Sequence, residues 1–174
     1  MNIQIIPGGT VSIGRNAGAK LATTPYLVFI DADTTIIDKD TLQECLNYCC
    51  IKNKKLITCN VKPITTDLRC KLLWSCFNKI QKLLPEPFCV GAFFFTEKQT
   101  FDELGGFDEL VHQSEDFLLS RKYNKNYFYI LNKYITQDDR RFKKMGYLPF
   151  IFLVLKNYLN KNEIQHFKQD VNYW

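Results

Sequence analysis

The chain has 174 residues, of which 46% are apolar and 24% are charged, enough for one domain with a single sizeable core. Its formal net charge of +5 is too mild a bias for a nucleic-acid binder, so no nucleic-acid partner is predicted. Met1–Pro7 is too short for a signal peptide and lacks its basic start, and no stretch approaches the roughly 20 apolar residues that span a bilayer.

The cysteines indicate the cellular compartment in which the protein is expected. Their number is odd and most lie within apolar patterns, which favours reduced thiols over a disulfide framework. A zinc site is the alternative, but the sequence has no CxxC pair and neither histidine lies near a cysteine. We therefore expect a cytoplasmic protein. The cysteines are at positions 45, 49, 50, 59, 70, 76 and 89.

Helical and strand patterns alternate along the chain. The first half predicts, in order, a strand at 2–6, a helix from Ser12 to about Ala22, a strand at 26–30, a helix from Asp38 or Asp40 and a strand at 55–61. The second half predicts a helix at 67–84, a strand at 88–96, a helix at 100–104, a helix capped by Ser114 and a strand at 127–131. This order predicts an α/β fold with a mostly parallel sheet flanked by helices.

Two later segments have distinctive apolar patterns. The helix at 67–84 is strongly amphipathic, with one face formed by Leu68, Leu72, Cys76, Ile80 and Leu83. The tail at 147–159 is almost wholly apolar, and the surrounding region from Arg140 to Asn162 has basic residues but no acidic one. The tail is thus either a helix that contacts a membrane surface or a core helix that covers the sheet edge.

Asp31 and Asp33 follow the apolar strand at 26–30 directly. In an extended chain, residues two apart point the same way, so both carboxylates could face one cation beyond the end of the strand. Mg²⁺ and similar hard cations are commonly shared between carboxylates and substrate phosphates. The alternative is a turn in which these aspartates cap Thr34 and the residues after it.

A second acidic segment follows the turn at Gly105-Gly106. The two glycines permit a positive φ and would bring the next helix, which begins with Glu115-Asp116, to the sheet edge. A carboxylate there, Asp116, could accept a proton from a hydroxyl nucleophile. The alternative is that both acidic residues only favour the positive end of their helix.

Arginines supply candidate anion contacts. Arg15 lies early in the first predicted helix. Arg140 and Arg141 lie in the stretch at 137–142, which is polar and then basic. A guanidinium can hold phosphate oxygens in pairs, so these residues could bind a diphosphate or an anionic head group. A solvated helix face and a surface charge run are the alternatives.

These motifs occur in a specific order. Arg15-Asn16-x-Gly18 precedes the strand into Asp31-Ala32-Asp33, followed by Gly105-Gly106-Phe107-Asp108-Glu109 and then Glu115-Asp116. The series resembles family 2 glycosyltransferases of the GT-A fold, over roughly residues 3–146. Basic residues after the acidic pair, here Arg140-Arg141, recur in many such sequences.

The resemblance implies roles for these residues. Asp33 would bind Mg²⁺ or Mn²⁺ directly, and Asp31 would contact the metal or the ribose of a nucleoside diphosphate sugar. Asp116, with Glu115 beside it, would be the base of an inverting transfer to an acceptor hydroxyl, and Arg15 would lie near the nucleotide. The acceptor would be a glycan or a lipid-linked molecule, with peripheral membrane contact through the tail.

The sequence departs from the family at its start. Family members normally begin with a strand, helix, strand and helix before the Arg-Asn segment, and that unit forms much of the nucleotide pocket. We therefore expect residues 1–145 to form a partial GT-A domain, with 146–174 as a C-terminal helical tail. A fragment, a chain that depends on a partner and an inactive binding module are the alternatives to an active enzyme.

Overall fold

A five-stranded mixed sheet is the centre of the computed structural model, which describes residues 3–169. Its strands are β1 (Tyr26–Ile30), β2 (Thr35–Ile36), β3 (Leu56–Ile64), β4 (Phe93–Glu97) and β5 (Phe128–Asp138), in the spatial order β1-β4-β3-β5-β2. Among the strands of residues 3–169, only β3 and β5 pair in parallel. The α/β class is confirmed, but the prediction of a mostly parallel sheet was wrong. Continuous apolar strands indicate that both faces of the sheet are covered and do not fix strand direction.

Helices lie on both faces of this sheet. They are α1 (Val11–Leu21), α2 (Thr41–Lys52), α3 (Leu68–Leu83), α4 (Lys98–Glu103), α5 (Glu115–Ser120), α6 (Arg140–Met145), α7 (Tyr147–Leu159) and α8 (Ile164–Phe167). A 3-10 turn at Lys125–Tyr127 precedes β5. All seven cysteines are free thiols.

Two apolar clusters fill the space between sheet and helices. In β4, Phe93 and Phe95 belong to the cluster under α2 and α3, whereas Phe94 belongs to the cluster under α1, α4 and α5. Successive strand residues point to opposite faces, so this fully buried run serves both clusters. β4 is thus held from both sides, and the loop before it has a fixed position.

The N-terminal segment differs from its prediction. Residues 3–9 form no regular structure, and Ile5 is 97% exposed, so the predicted strand at 2–6 was wrong over 3–6; Asn2 lies outside the described residues. An apolar run becomes a strand only where another strand pairs with it. Helix α1 begins after Thr10, whose hydroxyl accepts the Ile13 N–H at 3.4 Å, and not at Ser12, which is buried within the first turn.

Helix α3 is confirmed, but its orientation was unexpected. Asp67 caps it by accepting the Arg69 N–H at 2.8 Å. Cys70, Trp74 and Gln81 are the buried residues, because the indole of Trp74 fills the space toward α6. The predicted apolar face points away from the core: Leu68 is 76% exposed, Leu72 66%, Ile80 53% and Leu83 83%.

Helix α7 has one packed side and one exposed apolar side. Tyr147 and Phe150 pack against the core cluster that contains Phe142. The opposite side is exposed: Leu148 by 68%, Ile151 by 39%, Phe152 by 68%, Leu155 by 52% and Leu159 by 81%. Within residues 3–169, no helix combines the length and apolarity needed to cross a membrane.

Candidate functional site

Arg15 is at the centre of a charged cluster beside the carboxyl end of β1. Its guanidinium donates to Asp31 Oδ1 and to Glu115 Oε1, each at 2.7 Å, and to the Gly91 carbonyl oxygen at 3.3 Å. Asp31 directly follows β1, and Gly91 precedes β4, the antiparallel neighbour of β1. Three residues that the sequence analysis singled out, at positions 15, 31 and 115, therefore lie in one hydrogen-bonded group.

Asp116 borders the same group. Its Oδ2 accepts the Gly91 N–H at 2.5 Å and its Oδ1 accepts the Phe117 N–H at 2.7 Å. Burial raises the pKa of Asp116, with Arg15 acting in the opposite direction. The carboxyl is thus fixed in orientation by two backbone donors and binds its proton more tightly than an exposed aspartate does.

Glu115 is the most buried acid of the cluster, with 9% of its side chain exposed. Burial and the neighbouring Asp116 raise the pKa of Glu115, although Arg15 lowers it. Burial alone would lower the pKa of Arg15, but attraction to Glu115 and Asp31 outweighs it and raises that pKa. One permanent cation therefore faces three carboxyl groups, so the cluster favours further positive charge.

Gly91 is required by this geometry, and the sequence analysis did not assign it a role. A Cβ at this position would lie 2.8 Å from Arg15 Nη2 and 3.2 Å from Asp116 Oδ2. Only glycine leaves room for both side chains to reach the backbone here. The available signal was an isolated glycine within an apolar strand pattern, which often marks a close approach of other groups to the backbone.

Asn16 connects the first helix to the Gly-Gly segment. Its Nδ2 donates to the Phe107 carbonyl at 2.8 Å, and its Oδ1 accepts the Phe107 N–H at 3.0 Å. Gly105 and Gly106 have φ values of 81° and 65°, as the predicted turn requires. The Phe107 ring centroid lies 5.2 Å from the Arg15 guanidinium carbon. The Arg-Asn and Gly-Gly-Phe motifs thus form one packed unit.

Asp33 lies in a different environment from Asp31. Its side chain is 33% exposed and pairs with Arg140, whose side chain is 71% exposed, at 2.5 Å. Arg140 also pairs with Asp138. Residues after Asp31 form a turn, closed by the Thr34 N–H donating to the Asp31 carbonyl at 3.0 Å. The chain is therefore not extended there, and the two carboxylates have separate partners.

A pocket of about 520 Å³ opens beside Asp33. Its lining combines charged and polar residues with apolar ones: Asp33, Gln137, Asp138, Arg140, Arg141, Lys144, Trp74, Phe142, Met145 and Phe150. Trp74 is 8% exposed, and its indole N–H has no hydrogen-bond partner among residues 3–169. This N–H is enclosed within the protein, so the pocket wall at Trp74 offers a ligand an apolar contact and no donor.

The predicted site residues thus fall into two groups. Arg15, Asp31, Glu115 and Asp116 form the buried cluster, whereas Asp33, Arg140 and Arg141 border the pocket. Within the described part of the chain, no set of three or more His, Cys, Asp or Glu residues is arranged to hold a metal ion.

Comparison with known proteins identifies the family. The family model described as glycosyl transferase family 2 matches residues 7–105, more than half of the chain. The chain belongs to glycosyl transferase family 2. This match includes Arg15, Asp31, Asp33 and Gly91 and ends at Gly105, before the Glu115-Asp116 pair. No curated protein sequence matches the chain.

Solved structures agree with a GT-A fold for this family 2 member. The mannosyltransferase PcManGT from Pyrobaculum calidifontis, in complex with GDP-Man and Mn²⁺, aligns with a TM-score of 0.51 at 16% identity, over 72% of this chain and 35% of its own. TarS from S. aureus aligns with a TM-score of 0.53 at 15% identity, over 75% of this chain and 24% of its own. The chain spans about a third or less of these two proteins.

Proposed function

We propose that this chain carries the catalytic half of a glycosyltransferase that moves a sugar from a nucleoside diphosphate sugar to an acceptor hydroxyl with inversion. The observation that carries this proposal is the convergence of Arg15, Asp31, Glu115 and Asp116 beside the end of β1. These residues come from three separate segments, and a surface charge run would not explain their burial. Family membership supplies the reaction class, and the solved relative that holds GDP-Man and Mn²⁺ supports a sugar nucleotide as donor.

Asp116 is the proposed base. Its two backbone hydrogen bonds leave lone pairs on both oxygens, so an acceptor hydroxyl can still donate to it. Its raised pKa makes it a better proton acceptor than an exposed aspartate, provided that it is ionised at the working pH. Gly91 and Phe117 fix the direction in which the proton leaves the acceptor.

Asp33 is the residue best suited to hold Mg²⁺ or Mn²⁺. Its partner Arg140 is largely exposed, so replacing that ion pair costs little, whereas Asp31 pairs with the buried Arg15. Asp33 and Asp138 both line the pocket, and two such carboxylates suit a hard cation that shares its other coordination positions with phosphate oxygens and water. When bound, such a cation would stabilise negative charge on the diphosphate leaving group.

The pocket beside Asp33 offers anion and hydrogen-bond contacts. Arg140 and Arg141 border it and can bind phosphate oxygens. Phe142 and Phe150 supply an apolar wall against which a sugar ring or a lipid chain can pack. A glycan or a lipid-linked acceptor fits this combination.

Donor binding tests the first half of the proposal. Calorimetry with a panel of nucleoside diphosphate sugars, with and without Mn²⁺, should give metal-dependent binding to the wild type that Asp33→Ala loses. Asp102→Ala, which removes an exposed carboxylate elsewhere, is the matched control and should bind as the wild type does. Equal binding by Asp33→Ala would contradict the metal role of Asp33.

Turnover tests the second half. Asp116→Asn keeps the shape of the side chain but cannot act as a base, so we expect donor binding to persist and turnover to fall by about 10²–10⁴-fold. Unchanged turnover would exclude Asp116 as the base.

Dependence on a partner is the second candidate. Among residues 3–169, β1 is paired on one side only, by β4, and Val28 and Ile30 are each 40% exposed. A half-paired apolar strand is a site for strand addition by another chain. If the folded wild type binds no donor in the calorimetric panel, this reading replaces that of an enzyme that is active by itself.

A further inference from the structure

Helices α3 and α7 lie side by side and run in the same direction. At their N-terminal ends, the Tyr147 hydroxyl donates to Asp67 Oδ2 at 2.9 Å, and the Arg69 guanidinium lies 4.9 Å from the Tyr147 ring centroid. Beyond their C-terminal ends, Lys161 Nζ donates to Glu86 Oε1 at 2.8 Å. The two helices are thus joined near both of their ends, and both pack on the same core cluster.

Each helix turns large apolar side chains away from that core. We use "the two-helix face" for nine of them: Leu68, Leu72, Ile80 and Leu83 on α3, and Leu148, Ile151, Phe152, Leu155 and Leu159 on α7. Single exposed apolar residues are ordinary, but a group of nine on two neighbouring helices marks an interaction surface.

The charged residues on the two helices themselves have one sign. Helix α3 contains Arg69, Lys71, Lys79 and Lys82 and no acidic residue, and residues 140–162 contain six basic residues and no acidic one. Within the described residues, Lys71, Lys79, Lys82 and Lys156 are exposed and make no salt bridge. The surface therefore combines apolar side chains with cations available to an anionic partner.

We propose that the two-helix face docks on an anionic membrane surface, with both helices lying in the interface. Apolar side chains would enter the boundary between head groups and acyl chains, and the lysines would contact lipid phosphates. A second copy of this chain is disfavoured as the occupant, because two such faces would bring like charges together. This inference concerns a partner of the chain and does not depend on the proposed transfer reaction.

The same helices border the pocket beside Asp33. Trp74 of α3 and Phe150 of α7 line it, and Asn157 of α7 donates to Ser114 Oγ at 2.9 Å, next to the Glu115-Asp116 pair. The helices that would dock on the lipid surface thus also support the pocket and the acidic pair from their packed side.

Flotation of the full chain with vesicles tests the proposal. We expect the wild type to bind phosphatidylcholine vesicles that contain phosphatidylglycerol, to bind pure phosphatidylcholine far less, and to detach as salt is raised. The α3 pair Leu72→Gln with Leu83→Gln and the α7 pair Phe152→Gln with Leu155→Gln should each weaken binding roughly tenfold or more. Lys79→Gln and Lys82→Gln should each weaken it about fivefold.

The control is the pair Ile51→Gln with Leu110→Gln, which removes equally exposed apolar residues outside the face and should bind as the wild type does. All of these residues are exposed, so thermal unfolding should be nearly unchanged. Loss of binding in the α7 variant alone would overturn the shared face, and equal binding to neutral vesicles would overturn the anionic partner. Dimerisation that the same variants abolish, without vesicle binding, would assign the face to a second copy.

Discussion

The two arginines that bind acidic residues of the candidate site differ in their surroundings. Arg15 has 11% of its side chain exposed and joins residues from positions 31, 91 and 115. Arg140 has 71% exposed and joins Asp33 to Asp138 near its own position in the sequence. One guanidinium is part of the packed interior, whereas the other covers a carboxylate that solvent and ligands can reach.

This difference indicates which ion pair holds the site residues in place and which one a ligand can displace. A buried ion pair is costly to break, because removing one partner leaves the other charged and desolvated. An exposed pair contributes little and is easily replaced by other ions. We therefore assign the Arg15 cluster to holding Glu115 and Asp116 in place, and the Asp33–Arg140 pair to exchange with a metal and a diphosphate.

Replacing each arginine by methionine should give the largest contrast. Arg15→Met leaves three carboxyl groups close together without their cation, and we expect it to lower the free energy of unfolding by about 3–5 kcal/mol. Arg140→Met breaks an exposed pair and should leave the free energy of unfolding nearly unchanged. Denaturant unfolding of both variants measures the difference, and similar losses would mean that the Arg15 cluster is not the buried support that we describe.

The close approach at Gly91 allows a smaller perturbation of the same cluster. Gly91→Ala places a methyl group 2.8 Å from Arg15 Nη2, and we expect a loss of about 1–3 kcal/mol in unfolding free energy together with displacement of Asp116. Gly18→Ala is the matched control, because a Cβ there meets nothing within 4 Å and alanine suits the interior of α1. The control should gain about 0.5–1 kcal/mol. A Gly91→Ala protein as stable as the wild type would show that the cluster can relax around a methyl group.

Much of the fold was predictable from local pattern. The apolar strand at 26–30, the helix capped by Asp67 and the turn at Gly105-Gly106 are all present, because each depends on neighbouring residues. Strand direction and the outward turn of α3 were not predictable. Both depend on which residues meet across the core, as when Trp74 and Cys70, rather than the leucines, fill the space beneath α3.

The candidate site was predictable as a set of residue types but not as a geometry. Spacing in the sequence suggested that Asp31 and Asp33 share one direction, yet the turn after Asp31 gives them different arginines. Gly91 lies 60 residues after Asp31 and 25 before Asp116 in the sequence. Its place between them in space follows only from the pairing of β1 with β4. The assigned roles of metal ligand and base remain predictions.

The smallest expected effect is a difference in how stability depends on pH. Burial raises the pKa of Glu115 in the folded protein, so between its ordinary value and the raised one the folded state holds more protons than the unfolded state. Stability is then fully present at low pH and is lost as pH rises through that interval. Glu115→Gln has no such proton to release and should lose less stability between the ordinary pKa of 4.5 and the raised pKa of about 7.

Denaturant unfolding at a series of pH values measures these slopes. Glu103→Gln, an exposed substitution outside the cluster, is the control and should keep the slope of the wild type. Asp116 also has a raised pKa and remains in the variant, so part of the slope should persist. If Glu115→Gln and the wild type have the same slope, Glu115 does not carry the extra proton, and that proton must reside on Asp116 or be absent.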